Sequence, residues 1–178
     1  MRAFVGLPVP EAWLDPILDM QERLPAGREV PEENLHLTLA FLDDQPQAAL
    51  EALHEGLEGR RLGRCALRAR GVGALGERRP RALALEVERT PALEALRGAV
   101  LSAARGAGIE LPRTRFRPHV TLAWLGTLDG AETARLAAAL ARMPAPPAEA
   151  EAEAVVLWRS KLRPEGPIYE ALAEYPLG

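Results

Sequence analysis

Two of the three histidines in the chain stand in the same local setting, His36-Leu37-Thr38-Leu39 and His119-Val120-Thr121-Leu122. On a β-strand, residues two apart point to one face about 6 to 7 Å from each other, so each His-Thr pair can hold one small anion between its members. Histidine has an unperturbed pKa of about 6.5, so one copy can accept a proton while another donates one near neutral pH. The threonine hydroxyls can donate hydrogen bonds to non-bridging phosphoryl oxygens, as an oxyanion site does. Two such pairs across a cleft suit a step in which one oxygen loses a proton while the opposite oxygen gains one, which is in-line displacement at phosphorus. That chemistry calls for no metal, no cofactor and no covalent nucleophile. A lone strand histidine is more often structural; the matched pair with threonine is what carries the chemical reading. His54 lies unpaired in a helical pattern and reads as a surface residue.

The elements that must position these residues follow from hydrophobic periodicity. Ala3 to Leu7 is a short apolar run ended by Pro8 and reads as a strand, followed by a helix from Glu11 to Leu24 with Pro16 inside it. In Asn34 to Leu42, Leu35, Leu37, Leu39 and Phe41 alternate with His36, Thr38 and Ala40, a period of two that makes a strand. Pro46 to Leu57 reads as helix and Cys65 to Val72 as strand. Then the order repeats: strand at Arg81 to Glu88, a Thr90 cap with Pro91 opening the helix Ala92 to Arg105, and strand at Pro118 to Leu125. A helix at Ala131 to Met143, a strand at Glu151 to Arg159 and a last strand at Ile168 to Tyr175 complete the order.

The halves superpose by subtraction. His36 and His119 are 83 apart, the helices starting near Pro46 and Asp129 are 83 apart, and the strands starting near Cys65 and Ala150 are 85 apart. Steady offsets of this kind indicate a duplication. The expected fold is α+β: two duplicated α/β lobes with largely antiparallel sheets, a pseudo-twofold axis and a central cleft into which both His-Thr pairs point. The whole chain, 1–178, is expected to be a single bilobal domain with halves of roughly 1–80 and 81–178 and chain ends exchanged between the lobes. Phe41, Trp124 and Trp158 read as core, Trp124 because its parity along the strand is opposite to that of His119.

With 178 residues, 48% hydrophobic and 26% charged, the chain can bury a core of its own and is neither disordered nor a run of spanning segments. A net charge of −3 does not attract polyanions over the whole surface, so nucleic-acid contact has to be local. The single cysteine, Cys65, excludes an internal disulfide and a cysteine-cluster metal site. The apolar run after Met1 is too short for a signal or anchor before Pro8 and Pro10, so a cytoplasmic, monomeric protein without membrane contact is expected.

At this point the residues carry a resemblance. His36 to Leu39 and His119 to Leu122 resemble the twin H-x-T-x signature of the two-histidine phosphoesterase superfamily. More narrowly, NLHLTLAFL, FRPHVTLAWLG and the closing SKLRPEGPIYEAL resemble the bacterial and archaeal RNA 2′,3′-cyclic phosphodiesterases, also called 2′-5′ RNA ligases, over essentially the whole chain. The resemblance implies a metal-independent enzyme that opens a terminal 2′,3′-cyclic phosphate on RNA to a 2′-phosphate. It also implies 2′-5′ joining of tRNA-half-like fragments in vitro. It makes His36 the proton donor to the departing 3′ oxygen, His119 the base that activates water, and Thr38 and Thr121 the phosphate holders. The residues alone do not order the two histidines.

The family form H-x-T-L-x-R has arginine where this chain has Trp124. Arg113, Arg115 and Arg117 step by two toward His119, so in extended backbone Arg115 and Arg117 share the catalytic face and are the candidate RNA or phosphate contacts. Two other functions fit the same residues: a nucleotide- or RNA-end-binding module without turnover, and a phosphoesterase for small cyclic nucleotides, 2′-5′ oligoadenylate or cyclic ADP-ribose phosphate.

Overall fold

The computed structural model describes residues 1–178. In chain order the elements are β1 (Arg2–Pro8), α1 (Glu11–Glu22), β2 (Arg28–Glu29), a 3-10 turn (Glu32–Asn34), β3 (His36–Asp44), α2 (Gln47–Glu58), β4 (Cys65–Leu67) and β5 (Ala69–Leu75). There follow β6 (Ala82–Val87), α3 (Pro91–Gly106), β7 (His119–Trp124), α4 (Gly130–Ala141), β8 (Ala150–Ala152), β9 (Ala154–Lys161) and β10 (Ile168–Pro176). α1 runs through Pro16. Thr90 caps α3 by accepting from the Leu93 N–H, and Asp129 with Glu132 forms a capping box at the start of α4.

The strands form one antiparallel sheet in the order β10-β9-β1-β3-β7-β6-β5, with β2 also on β7, and a small second sheet of β4 with β8. The two halves meet where Leu37 of β3 pairs with Val120 of β7. Beyond that pair β3 and β7 diverge, and β2 takes up the edge of β7 with Arg28 opposite Trp124. The chain ends cross over, since β9 and β10 complete the sheet beside β1 while β2 joins β7. Helices cover one face, burying Trp13, Ile17 and Met20 from α1, Leu50, Leu53 and Leu57 from α2, and Leu93, Leu96 and Val100 from α3. The other face, above β3 and β7, stays open as the cleft.

Two strands read as continuous are each divided. Cys65 to Val72 breaks at Arg68, sending β4 to the small sheet and β5 to the edge of the large one, and Glu151 to Arg159 breaks at Glu153 in the same way. Period-two alternation records which face a residue takes and carries no information about which sheet it joins. Cys65 is fully buried, and burial pushes its thiol up to about 11, which keeps it inert. No helix is long and apolar enough to cross a membrane.

A matched irregularity shapes both motif strands. Against β1, Val5 pairs with Ala40 and Gly6 with Thr38, so Leu39 is the extra residue of a bulge. Against β6, Leu83 pairs with Ala123 and Ala84 with Thr121, so Leu122 is the extra residue there. Each bulge buries two consecutive residues, Leu39-Ala40 and Leu122-Ala123, and reverses the alternation after them. The bulge in β7 is held from below: Gln21 Nε2 donates to Leu122 O and to Val30 O, both at 2.9 Å, and Val30 N donates to Leu122 O at 2.8 Å.

Candidate active site

The cleft has a volume of about 940 Å³, and His36, Thr38, His119 and Thr121 all line it. β3 and β7 run antiparallel through the Leu37–Val120 pair, so the register sets Thr121 beside His36 and Thr38 beside His119. Gly6 lies opposite Thr38 in the ladder, and a Cβ there would come within 2.5 Å of the Leu37 carbonyl. Only glycine lets β1 approach β3 this closely under the first motif.

The two histidines are held in the same way. His36 Nδ1 lies 2.6 Å from the Asn34 carbonyl and His119 Nδ1 lies 2.7 Å from the Arg117 carbonyl, in each case the residue two earlier. A carbonyl only accepts, so Nδ1–H is the donor, and the neutral ring presents an unprotonated Nε2 to the cleft. His36 Nε2 accepts from the Thr38 hydroxyl at 3.0 Å. Protonating that nitrogen turns it into a donor and frees the Thr38 hydroxyl to donate elsewhere.

The surroundings of the two rings differ. His36 sits in an aromatic box, with its centroid 4.7 Å from Phe4, 5.7 Å from Trp158 and 5.2 Å from Tyr169, the last edge-on at 88°. Burial there lowers the His36 pKa; the Asn34 carbonyl opposes the shift, and the nearby His119 adds to it. Burial in the same box raises the Tyr169 phenol.

Asn34 is a positioning residue that its sequence context does not single out. Its carbonyl orients His36, while its buried Nδ2 donates to Pro167 O at 2.9 Å and ties the β9–β10 loop over the cleft. That loop brings in Arg163, and Gly166, at φ +126, lies against the Arg28 guanidinium. Arg2, Arg28 and Arg163 line the cleft, and none of them makes an ion pair.

Arg115 and Arg117, expected on the catalytic face, do not line the cleft. Residues 113–117 form no strand, and Arg117 is engaged by Glu86, the β6 partner of His119. Phe41 and Trp124 are not core residues: both line the cleft, at 63% and 49% exposure. The bulges at Leu39 and Leu122 turn them from the buried face to the open one. Trp158 is partly exposed and takes its place in the aromatic box around His36. His54 is half-buried, with Nδ1 3.0 Å from the Tyr175 hydroxyl, remote from the cleft residues.

A folded-over antiparallel sheet with one His-x-Thr pair from each half defines a two-histidine site. Residues 8–163 match the sequence model of the 2′-5′ RNA ligase superfamily, and the chain belongs to that family. It is 34% identical over 164 residues to an RNA 2′,3′-cyclic phosphodiesterase of Geobacillus stearothermophilus, covering 89% of this chain and spanning half the length of that relative. It is 31% identical over 191 residues to one of Thermus thermophilus, covering 99% of this chain and 90% of the relative. Among solved structures, a Thermus thermophilus protein superposes with a TM-score of 0.82 at 25% identity, covering 99% of this chain and 98% of that one. The apo form of E. coli LigT shares the fold at a TM-score of 0.76 and 23% identity, covering 99% and 96%.

Proposed function

We propose that the protein is an RNA 2′,3′-cyclic phosphodiesterase that converts a terminal 2′,3′-cyclic phosphate to a 2′-phosphate. The observation that carries this reading is the pair of Nε2 atoms, each fixed by an i−2 carbonyl and offered to one cleft beside two threonine hydroxyls. Family membership and the two RNA 2′,3′-cyclic phosphodiesterase relatives support it.

In this mechanism His119 Nε2 takes a proton from water as the water oxygen bonds to phosphorus. The bond from phosphorus to O3′ breaks, and protonated His36 gives its Nε2 proton to O3′, leaving a 3′-hydroxyl and a 2′-phosphomonoester. Thr38 and Thr121 donate to the non-bridging oxygens. Protonation of His36 releases the Thr38 hydroxyl from Nε2, so the acid and the phosphate donor become ready together. Burial holds the His36 pKa down in the free protein, and the anionic phosphate favours its cation, so substrate binding is coupled to proton uptake. The same site run with an RNA 5′-hydroxyl in place of water joins ends through a 2′-5′ linkage. Residues 1–178 act as one bilobal, monomeric unit on RNA ends in the cytoplasm, with tRNA-half-like fragments among the substrates.

The test is to incubate the protein, with EDTA present, with an oligoribonucleotide ending in a 2′,3′-cyclic phosphate. A 2′-phosphate product is expected, and an unchanged end overturns the proposal.

A further inference from the structure

A cleft that takes the cyclic phosphate of an RNA must also let the strand out, and its two ends differ. β2 and β3 run in file along β7, with Arg28 opposite Trp124 and Leu37 opposite Val120. Passing along β7 from Val120 to Trp124 therefore leads away from His119 and past His36.

The Trp124 end carries four arginines, Arg28, Arg78, Arg79 and Arg81, against the carboxylates of Glu29 and Glu77. Arg28 flanks Trp124 on one side, and Ala82 pairs with it on the other. The turn between β5 and β6 lies against the chain that follows Trp124: Leu125 N donates to Arg81 O at 2.8 Å, and Arg79 Nη1 donates to Thr127 Oγ1 at 3.4 Å. That turn cups a pocket lined by Gly76, Glu77, Arg78, Arg79 and Arg81. Its three arginines are exposed and free of ion pairs, against the single carboxylate of Glu77. At the other end, Phe41 is followed by Asp43 and Asp44; Asp44 faces the N-terminal ammonium at 3.7 Å and stands opposite Arg2 in the ladder, so two carboxylates there meet one guanidinium and the ammonium. On a molecule of net charge −3, a polyanion follows the path where cations are locally concentrated.

We infer that the RNA strand leaves the cleft over Trp124 and lies along the arginine turn between β5 and β6, so that the protein holds nucleotides upstream of the cyclic phosphate as well as the terminal one. This inference rests on the cyclic phosphodiesterase reading. Trp124 offers an indole face to a base, as aromatic platforms do for single strands. Arg28 and the turn guanidiniums meet the phosphates that follow.

The test compares kcat/KM for a nucleoside 2′,3′-cyclic monophosphate with that for a single-stranded oligoribonucleotide ending in the same cyclic nucleotide, over a range of salt. The native protein is expected to prefer the oligonucleotide, and to lose that preference as salt rises. In the triple variant Arg78→Gln, Arg79→Gln, Arg81→Gln the preference shrinks and the slope of log(kcat/KM) against log salt falls by about 2, at about 0.7 per phosphate contact in a single strand. Turnover of the mononucleotide is unchanged. Trp124→Ala lowers the oligonucleotide preference about ten-fold, with the salt slope kept. No oligonucleotide preference in the native protein, an unchanged slope in the triple variant, or a loss confined to Phe41→Ala overturns the strand path. If neither substrate is hydrolysed, the cyclic phosphodiesterase reading fails by itself. Fluorescence anisotropy with an oligoribonucleotide ending in a 3′-phosphate then decides the path by the same slopes.

Discussion

Leu37 pairs across the sheet with Val120, its own counterpart 83 residues further on. An antiparallel pair between equivalent residues places the pseudo-twofold axis between them. The small sheet repeats the arrangement, with Ala66 opposite Glu151, 85 residues on. Self-pairing of the repeat is what creates one site from two motifs. The buried Leu37 and Val120 turn their neighbours to the open face, and each histidine then lies beside the threonine of the other half as well as its own.

His36→Ala and His119→Ala are each expected to lower kcat/KM by about 10²- to 10⁴-fold, the scale of general acid-base catalysis. The double variant should be little worse than the poorer single one, because both groups act in one step. A p-nitrophenyl phosphodiester has a leaving group that needs no acid, so it should recover much of the rate of His36→Ala and none of that of His119→Ala. The opposite pattern of recovery would exchange their roles.

Activity should turn over on the mildly acidic side. The pKa of free His36 is lowered and the acid role needs its proton, so kcat/KM should fall as pH rises through a value below the ordinary 6.5 or so of histidine. The corresponding limb of kcat should lie higher, because bound phosphate favours the cation. Stability has the opposite sign: the unfolded chain takes up the proton first as pH falls, so stability is full above about 6.5 and declines toward the lowered His36 value. Thermal unfolding of the native protein and His36→Gln between pH 7.5 and 5 measures this, and the variant should lose that part of the slope.

Asn34→Ala removes the buried donor to Pro167 O and leaves that carbonyl short of a partner, a cost of about 1 to 3 kcal/mol. The loop carrying Arg163 loosens, so KM should rise more than kcat falls, since the Asn34 carbonyl that orients His36 remains. Steady-state kinetics separates the two. An unchanged KM would mean that the loop does not help to hold substrate.

Gln21→Leu keeps the volume and removes the amide that donates to Val30 O and Leu122 O. Urea unfolding should show a loss of about 1 to 3 kcal/mol, with Gln21→Glu worse because a carboxylate cannot donate. Since Leu122 is the bulge residue that turns Trp124 outward, both variants should also weaken oligonucleotide turnover although Gln21 lies under the sheet.

Local signals made much of the fold legible. Alternation located β3, β6 and β7, the Thr90-Pro91 pair marked the start of α3, and the constant offset of the two His-x-Thr motifs revealed the repeat. The arginine run before His119 alternates in sequence but makes no strand: residues 113–117 are loop, and Arg117 pairs with Glu86 of the neighbouring strand, a partner 31 residues away that local alternation does not reveal. The parity argument failed at Phe41 and Trp124 for a different reason. A bulge is defined by pairing with a neighbouring strand, and nothing within Leu39-Ala40 or Leu122-Ala123 marks the extra residue.

The two-residue spacing of His36-Thr38 and of His119-Thr121 was enough to show that each pair shares a strand face, and all four side chains line one cleft. The sequence by itself also showed that the halves are alike. What surrounds those side chains came from the fold: the aromatic box that lowers the His36 pKa, the Asn34 tie to Pro167, the Gln21 brace beneath Leu122, and the outward turn of Trp124. All of these join residues far apart in the chain, and hydrogen-bond partners, burial and register are properties of what comes to lie alongside a residue, which its own neighbours in sequence do not specify.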